Sequence, residues 1–141
     1  MELGERLRGY LATFDDRPFV WGEDDCSDFV GNWVAAMVGR PIDWDAYDSE
    51  DEARAKIAAA GGLDRLWAPV ARAAGLRQIK LGGDPVSLGD IGIVNTRMSG
   101  HMGGIFGHGG YLYVRTPKGL SVLTPSIHPN RRTAVAAWTF A

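Results

Sequence analysis

The 141-residue chain contains one cysteine, Cys26. It can form no internal disulfide, so its fold does not depend on an oxidising compartment. It also lacks any apolar run near the ~20 residues that a spanning helix needs, so no membrane insertion is expected. Neither sign of charge is in excess: 15 basic residues stand against 17 acidic ones, a formal net charge of −2. That gives no electrostatic case for nucleic acid or an anionic membrane as partner. The cysteine and the three histidines, His101, His108 and His128, lack metal-ligand spacing, and the acidic pairs are not grouped with them. With no G-x-x-x-x-G-K phosphate loop either, no metal and no cofactor is expected. The opening stretch, MELGERLRGYLATF, is amphipathic and carries acidic residues, so it does not read as a signal peptide, and synthesis in the cytoplasm is expected.

What the chain does have is core. Apolar residues make up 45% and charged residues 23%, enough for a single domain over residues 1–141 without staples. Leu3 to Phe14 brings Leu3, Leu7, Tyr10, Leu11 and Phe14 near one helical face. A second helix begins near Cys26, with Cys26, Phe29, Val30, Trp33, Val34 and Met37 on one side. Asp24 or Asp25 caps it, and Gly39 followed by Pro41 stops it. Pro41 to Ser49 reads as an irregular loop with two aromatic anchors, Trp44 and Tyr47. Glu50 to Ala60 is helical, Gly61-Gly62 breaks it, and Leu63 to Ala74 is a further helix that Pro69 either kinks or splits.

From Leu76 onward the pattern changes. Strands are expected at Gln78–Leu81, Ile91–Asn95, His101–Phe106, Tyr111–Thr116, Leu120–Leu123 and Ala134–Phe140. The stretches 107–110 and 117–119 read as hairpin tips. Helices first and strands second imply an α+β fold.

Cys26 falls in the first turn of its helix, where the positive end of the dipole favours a thiolate and unpaired N–H groups can hold an oxyanion. Asp24 and Asp25 oppose thiolate formation, so a cation or imidazole from elsewhere must compensate. Of the three histidines, His101 stands on the stiffest platform, a strand, and is the best candidate base. The same pattern fits a plainer role, because a free cysteine on an apolar helix face is commonly core packing.

Phe19-Val20-Trp21-Gly22, a short loop, then Asp25-Cys26-Ser27 opening an apolar helix resembles the NlpC-like cell-wall cysteine peptidases. Leu88-Gly89-Asp90-Ile91-Gly92-Ile93-Val94 is similar to their Gly-Asp-Leu strand. His101-Met102-Gly103-Gly104-Ile105-Phe106-Gly107 is similar to their His-Val-Gly-Ile strand. The resemblance runs in order from Pro18 to Tyr113. It implies a papain-like fold, with N-terminal helices packed on a C-terminal antiparallel sheet. It further implies a cysteine endopeptidase that hydrolyses amide bonds of peptidoglycan stem peptides, with a Cys26–His101 dyad and Tyr113 near the third catalytic position. Trp21, Asp25 and Ser27 would help form the substrate-binding mouth.

The chain departs from the family in three places. Phe19 stands where the family has Tyr, Asp28 where it has Gly, and Tyr113 is a poor orienter of an imidazole. Two registers are also open: a slip of one residue puts Met102 at the base position and turns His101 to the other face of the sheet.

The run Phe29–Gly39, then an Asp-Trp/Tyr loop, then a helix ending in Gly-Gly, resembles small NlpC-like proteins encoded among phage-tail and gene-transfer-agent tail genes. This narrower resemblance implies a place at the tail tip of a virion, with tail hub or tip proteins as partners. Two alternatives stay open: a catalytically degenerate papain-like domain serving as a structural part of the tail tip, and an intracellular amidase or acyltransferase on the same fold.

Overall fold

A computed structural model of the chain describes residues 2–15, 17–20, 25–43, 48–97, 100–127 and 133–141, with the backbone alone of Cys26. Trp21, Asp24, Trp44, Tyr47, His128 and the Cys26 side chain, all singled out above, lie outside what is described. The helices are α1 (Leu3–Ala12), α2 (Cys26–Val38), α3 (Glu50–Ala60) and α4 (Leu63–Ala73). The strands are β1 (Arg77–Gln78), β2 (Ile91–Thr96), β3 (Gly100–Phe106), β4 (Leu112–Thr116), β5 (Gly119–Leu123) and β6 (Ala134–Thr139). They form one antiparallel sheet in the order β1-β6-β2-β3-β4-β5. The fold is α+β, with the helices preceding the sheet in the chain and packing on it.

Two expectations about element bounds change. The strand expected at Gln78–Leu81 is only the two residues of β1. Asp84 folds the chain back there, accepting from the Lys80 N–H and donating its own N–H to the Lys80 carbonyl at 2.9 Å. Pro69 does not split α4. Proline removes one helical hydrogen bond, to the carbonyl of Arg65. Both residues are exposed, on the side of the helix where solvent can satisfy a freed carbonyl.

The core lies between the sheet and the helices. The α2 stripe read from the sequence is the buried one: Phe29, Val30, Trp33 and Val34 are each at most 1% exposed. Burying such side chains contributes about 1.5–3 kcal/mol each. The rings of Tyr10 and Phe14 pack on Phe29, and Tyr10 also meets Trp33, so α1 is held on α2. On the sheet, Ile91, Ile93, Ile105, Ala136 and Trp138 join this cluster. The opposite face carries a second, smaller core of Val94, Phe106, Leu112, Val114 and Ala137. Leu81 and Val86 from the β1–β2 connection close over it.

Candidate active site

Residues on a strand alternate between its faces. On β3, Ile105 belongs to the helix-side core and Phe106 to the other. Gly103 also faces the helices, since a Cβ there would lie 1.9 Å from the Trp67 ring of α4. His101 shares that face, and Met102 packs against the opposite core. Of the two registers open in the sequence, the one realised turns His101 toward the helices.

The head of α4 meets the ring directly. Leu63, its first residue, donates its backbone N–H to His101 Nδ1 at 3.2 Å. The N-cap position is Gly62, at φ +138, with no side chain to cap the helix. Such a backbone conformation is open to glycine and strained for other residues. Asp64, next along, places Oδ1 beside the same edge of Gly62 that His101 Cε1 approaches.

The head of α2 is built differently. Asp25 is its N-cap, and Oδ1 accepts from the N–H groups of Ser27 and Asp28, both at 3.0 Å. Asp28 Oδ2 accepts from the Asp25 N–H in return, completing a capping box. Asp28, which the sequence comparison marks only as an added charge, is thus a structural partner. Asp25 and Ser27 are 1% and 3% exposed; as they stand, neither side chain lines an open mouth. The Phe29 N–H bonds the Asp25 carbonyl. An oxyanion at this helix end would therefore draw on the Cys26 N–H rather than on a row of free donors.

The direction of α2 fixes where Cys26 lies in the fold. Trp33 donates Nε1–H to the Gly89 carbonyl at 2.8 Å, and the Gly89 N–H bonds the Phe106 carbonyl. One turn earlier, Phe29 packs on Phe14, whose ring lies 5.4 Å from the Arg115 guanidinium. Arg115 follows Val114, the partner of Gly104, and so stands level with Gly103. The helix runs from the Gly103 end of β3 to its Phe106 end. Its first residue, Cys26, starts at the end of β3 that carries His101.

The structure does not bring Tyr113 to this place. It opposes Ile105, four residues along β3 from His101, a separation of about 13 Å at strand rise. Its ring lies against Gly107, in the opposite direction. The neighbours that the sequence reading missed are Leu63, Asp64 and Asn95. Asn95 is the direct cross-strand partner of His101, which puts the two side chains on one face, their Cβ atoms about 5 Å apart. The Gly61-Gly62 pair was the available signal for α4, although it reads first as a helix breaker. Arg115 is a further buried cation, 1% exposed, donating to the Arg17 carbonyl at 2.8 Å.

Asp90, the acid of the Gly-Asp motif, is 3% exposed. It accepts from the Ser87 N–H and the Thr139 hydroxyl. Burial raises its pKa above the ordinary carboxylate value, and these hydrogen bonds oppose the rise. It ties the entry of β2 to the end of β6 and takes no part in the His101 cluster. Among the described residues, no group of three or more His, Cys, Asp or Glu could hold a metal ion, and no helix is long and apolar enough to cross a membrane.

Compared with known families, residues 2–140 match the model of a domain of unknown function, DUF6950. No curated protein matches the chain.

Proposed function

We propose that this chain, which belongs to the DUF6950 family, is a cysteine peptidase of papain-like, NlpC-like fold that hydrolyses an amide bond of peptidoglycan stem peptides. The observation that carries the reading is the face on which His101 stands. It turns toward the helices, where the head of α4 meets its ring, and α2, which opens with Cys26, packs on that same face of the sheet. In this reading His101 takes the Cys26 proton and the thiolate attacks the amide carbonyl. The departing amine receives the proton, and water then hydrolyses the thioester. By its resemblance to small tail-associated proteins, the place of action is the tail tip of a virion-like particle.

The test is incubation with purified sacculi or a stem peptide under reducing conditions, beside Cys26→Ala. The expected result is peptide release by the wild type alone. No release, or equal release by the variant, overturns the reading.

One observation favours a second reading. The Nδ1 lone pair of His101 already serves α4, as a side-chain cap would. A papain-like domain without catalysis, acting as a structural part of a tail tip, would use His101 in that way alone. In that case Cys26→Ala particles assemble and infect as the wild type does.

A further inference from the structure

We propose that the first turn of α4 is the positioning element of His101, with Leu63 holding one orientation of the ring and Asp64 the other; this rests on the reading of His101 as the base. Leu63 donates its N–H to Nδ1 at 3.2 Å. A ring nitrogen that accepts a hydrogen bond carries no proton, so the neutral ring is held as its Nε2–H form. An imidazolium carries a proton on both nitrogens and cannot keep this bond. Nδ1 holds the one lone pair of this neutral ring, so it must leave Leu63 before it can take the thiol proton.

A half-turn of the ring about Cβ–Cγ frees it, exchanging Nδ1 with Cδ2 and Nε2 with Cε1. His101 Cε1 lies 3.4 Å from the point that a Cβ on Gly62 would occupy, and Asp64 Oδ1 lies 2.5 Å from the same point. After the half-turn Nε2–H stands on the side of Asp64, whose carboxylate accepts a charge-assisted hydrogen bond. Nδ1 is turned away from Leu63 with its lone pair free to take a proton, and the bond to Asp64 strengthens as the ring becomes an imidazolium. One proton leaves Cys26 Sγ and enters the ring; no other bond to hydrogen is made or broken covalently. Gly62 is buried, and its missing Cβ leaves room for both groups. On the elements beside β3, β2 places the uncharged Asn95 opposite His101, and Arg97 follows the end of that strand. Arg115 stands on β4, and Asp25 and Asp28 stand at the head of α2. Among the described residues, Asp64 is a carboxylate whose Oδ1 shares the space beside Gly62 with His101 Cε1.

Two measurements test this. Long-range 15N–1H spectra of the wild-type protein at neutral pH should show His101 as the Nε2–H tautomer; a dominant Nδ1–H tautomer overturns the assignment, whatever the variants do. The second uses the single cysteine, whose alkylation by iodoacetamide needs no substrate. Asp64→Asn should slow it about tenfold near neutral pH, the effect of losing one hydrogen bond to a charged group. Asp64→Glu should recover part of the rate, and Tyr113→Phe should leave it unchanged. A rate that responds to His101→Ala but not to Asp64→Asn sinks this assignment alone. A rate that ignores even His101→Ala sinks the dyad beneath it.

Discussion

Two helices start at the same end of β3, and their N-termini are finished in opposite ways. The head of α2 is closed by its own residues: Asp25 takes the Ser27 and Asp28 N–H groups, and Asp28 takes the Asp25 N–H. The head of α4 has a glycine cap, no side-chain cap of its own, and gives its first N–H to an imidazole 38 residues away in sequence. A self-capped helix end is stable but has little left to offer a reacting group. A helix end capped by a histidine couples the helix to the ring's orientation and protonation. Asp25, next to Cys26, belongs to the first kind of end, and the candidate base belongs to the second.

The largest effect should come from prying α4 off the sheet. Gly103→Ala sets a methyl 1.9 Å from the Trp67 ring. Both are buried in the core, so overpacking should lower stability by about 3 kcal/mol or more, read from urea unfolding. If the loss is small, α4 does not depend on that contact and its hold on His101 is looser than described. Next is Asp25→Ala, which opens the capping box of α2. The expected cost is about 2 kcal/mol, the upper range for a helix cap, with faster amide exchange at Ser27 and Asp28 and none at Leu63. His101→Ala should do the reverse. It removes one neutral hydrogen bond, worth about 1 kcal/mol, and should speed exchange at Leu63 while α2 is unaffected. Equal responses at both helix heads would erase the contrast.

The smallest effect concerns Asp90, which lies outside both heads. Its folded pKa is raised by burial above the ordinary 3.8. The folded state then binds the proton more tightly than the unfolded state. Stability contributed by this group falls as pH rises from that value through the folded pKa, and levels off above it. Asp90→Asn should flatten this part of the acid-range urea midpoint profile. A variant with an unchanged profile means that burial and hydrogen bonding cancel at this site.

Much of this architecture was legible in the residues. The α2 stripe of Phe29, Val30, Trp33 and Val34 needed only helical spacing, and β2, β3 and β4 needed only alternation and their glycine turns. The capping box was half visible, because the Asp25-x-x-Asp28 spacing was present but Asp24 competed for the role. The face of His101 was not legible, since one residue of slip reverses it and only packing, Gly103 against Trp67, fixes the register. The Leu63–His101 contact joins two distant segments through backbone chemistry, which no side-chain pattern announces. Tyr113 was chosen by its strand, and the strand was right in its place in the sheet. Its position along that strand depends on the pairing of Ile105 with Tyr113, which the turn at His108–Gly110 sets.

The claim on which the account rests is that Cys26 and His101 form one chemical unit. Its most direct test is the pH profile of Cys26 alkylation in the wild type and in His101→Ala. The account predicts that the wild type reacts well below the pH of an ordinary thiol, near 8.5, and that His101→Ala shifts the profile up toward that value. Superimposable profiles would contradict it and leave His101 as the cap of α4.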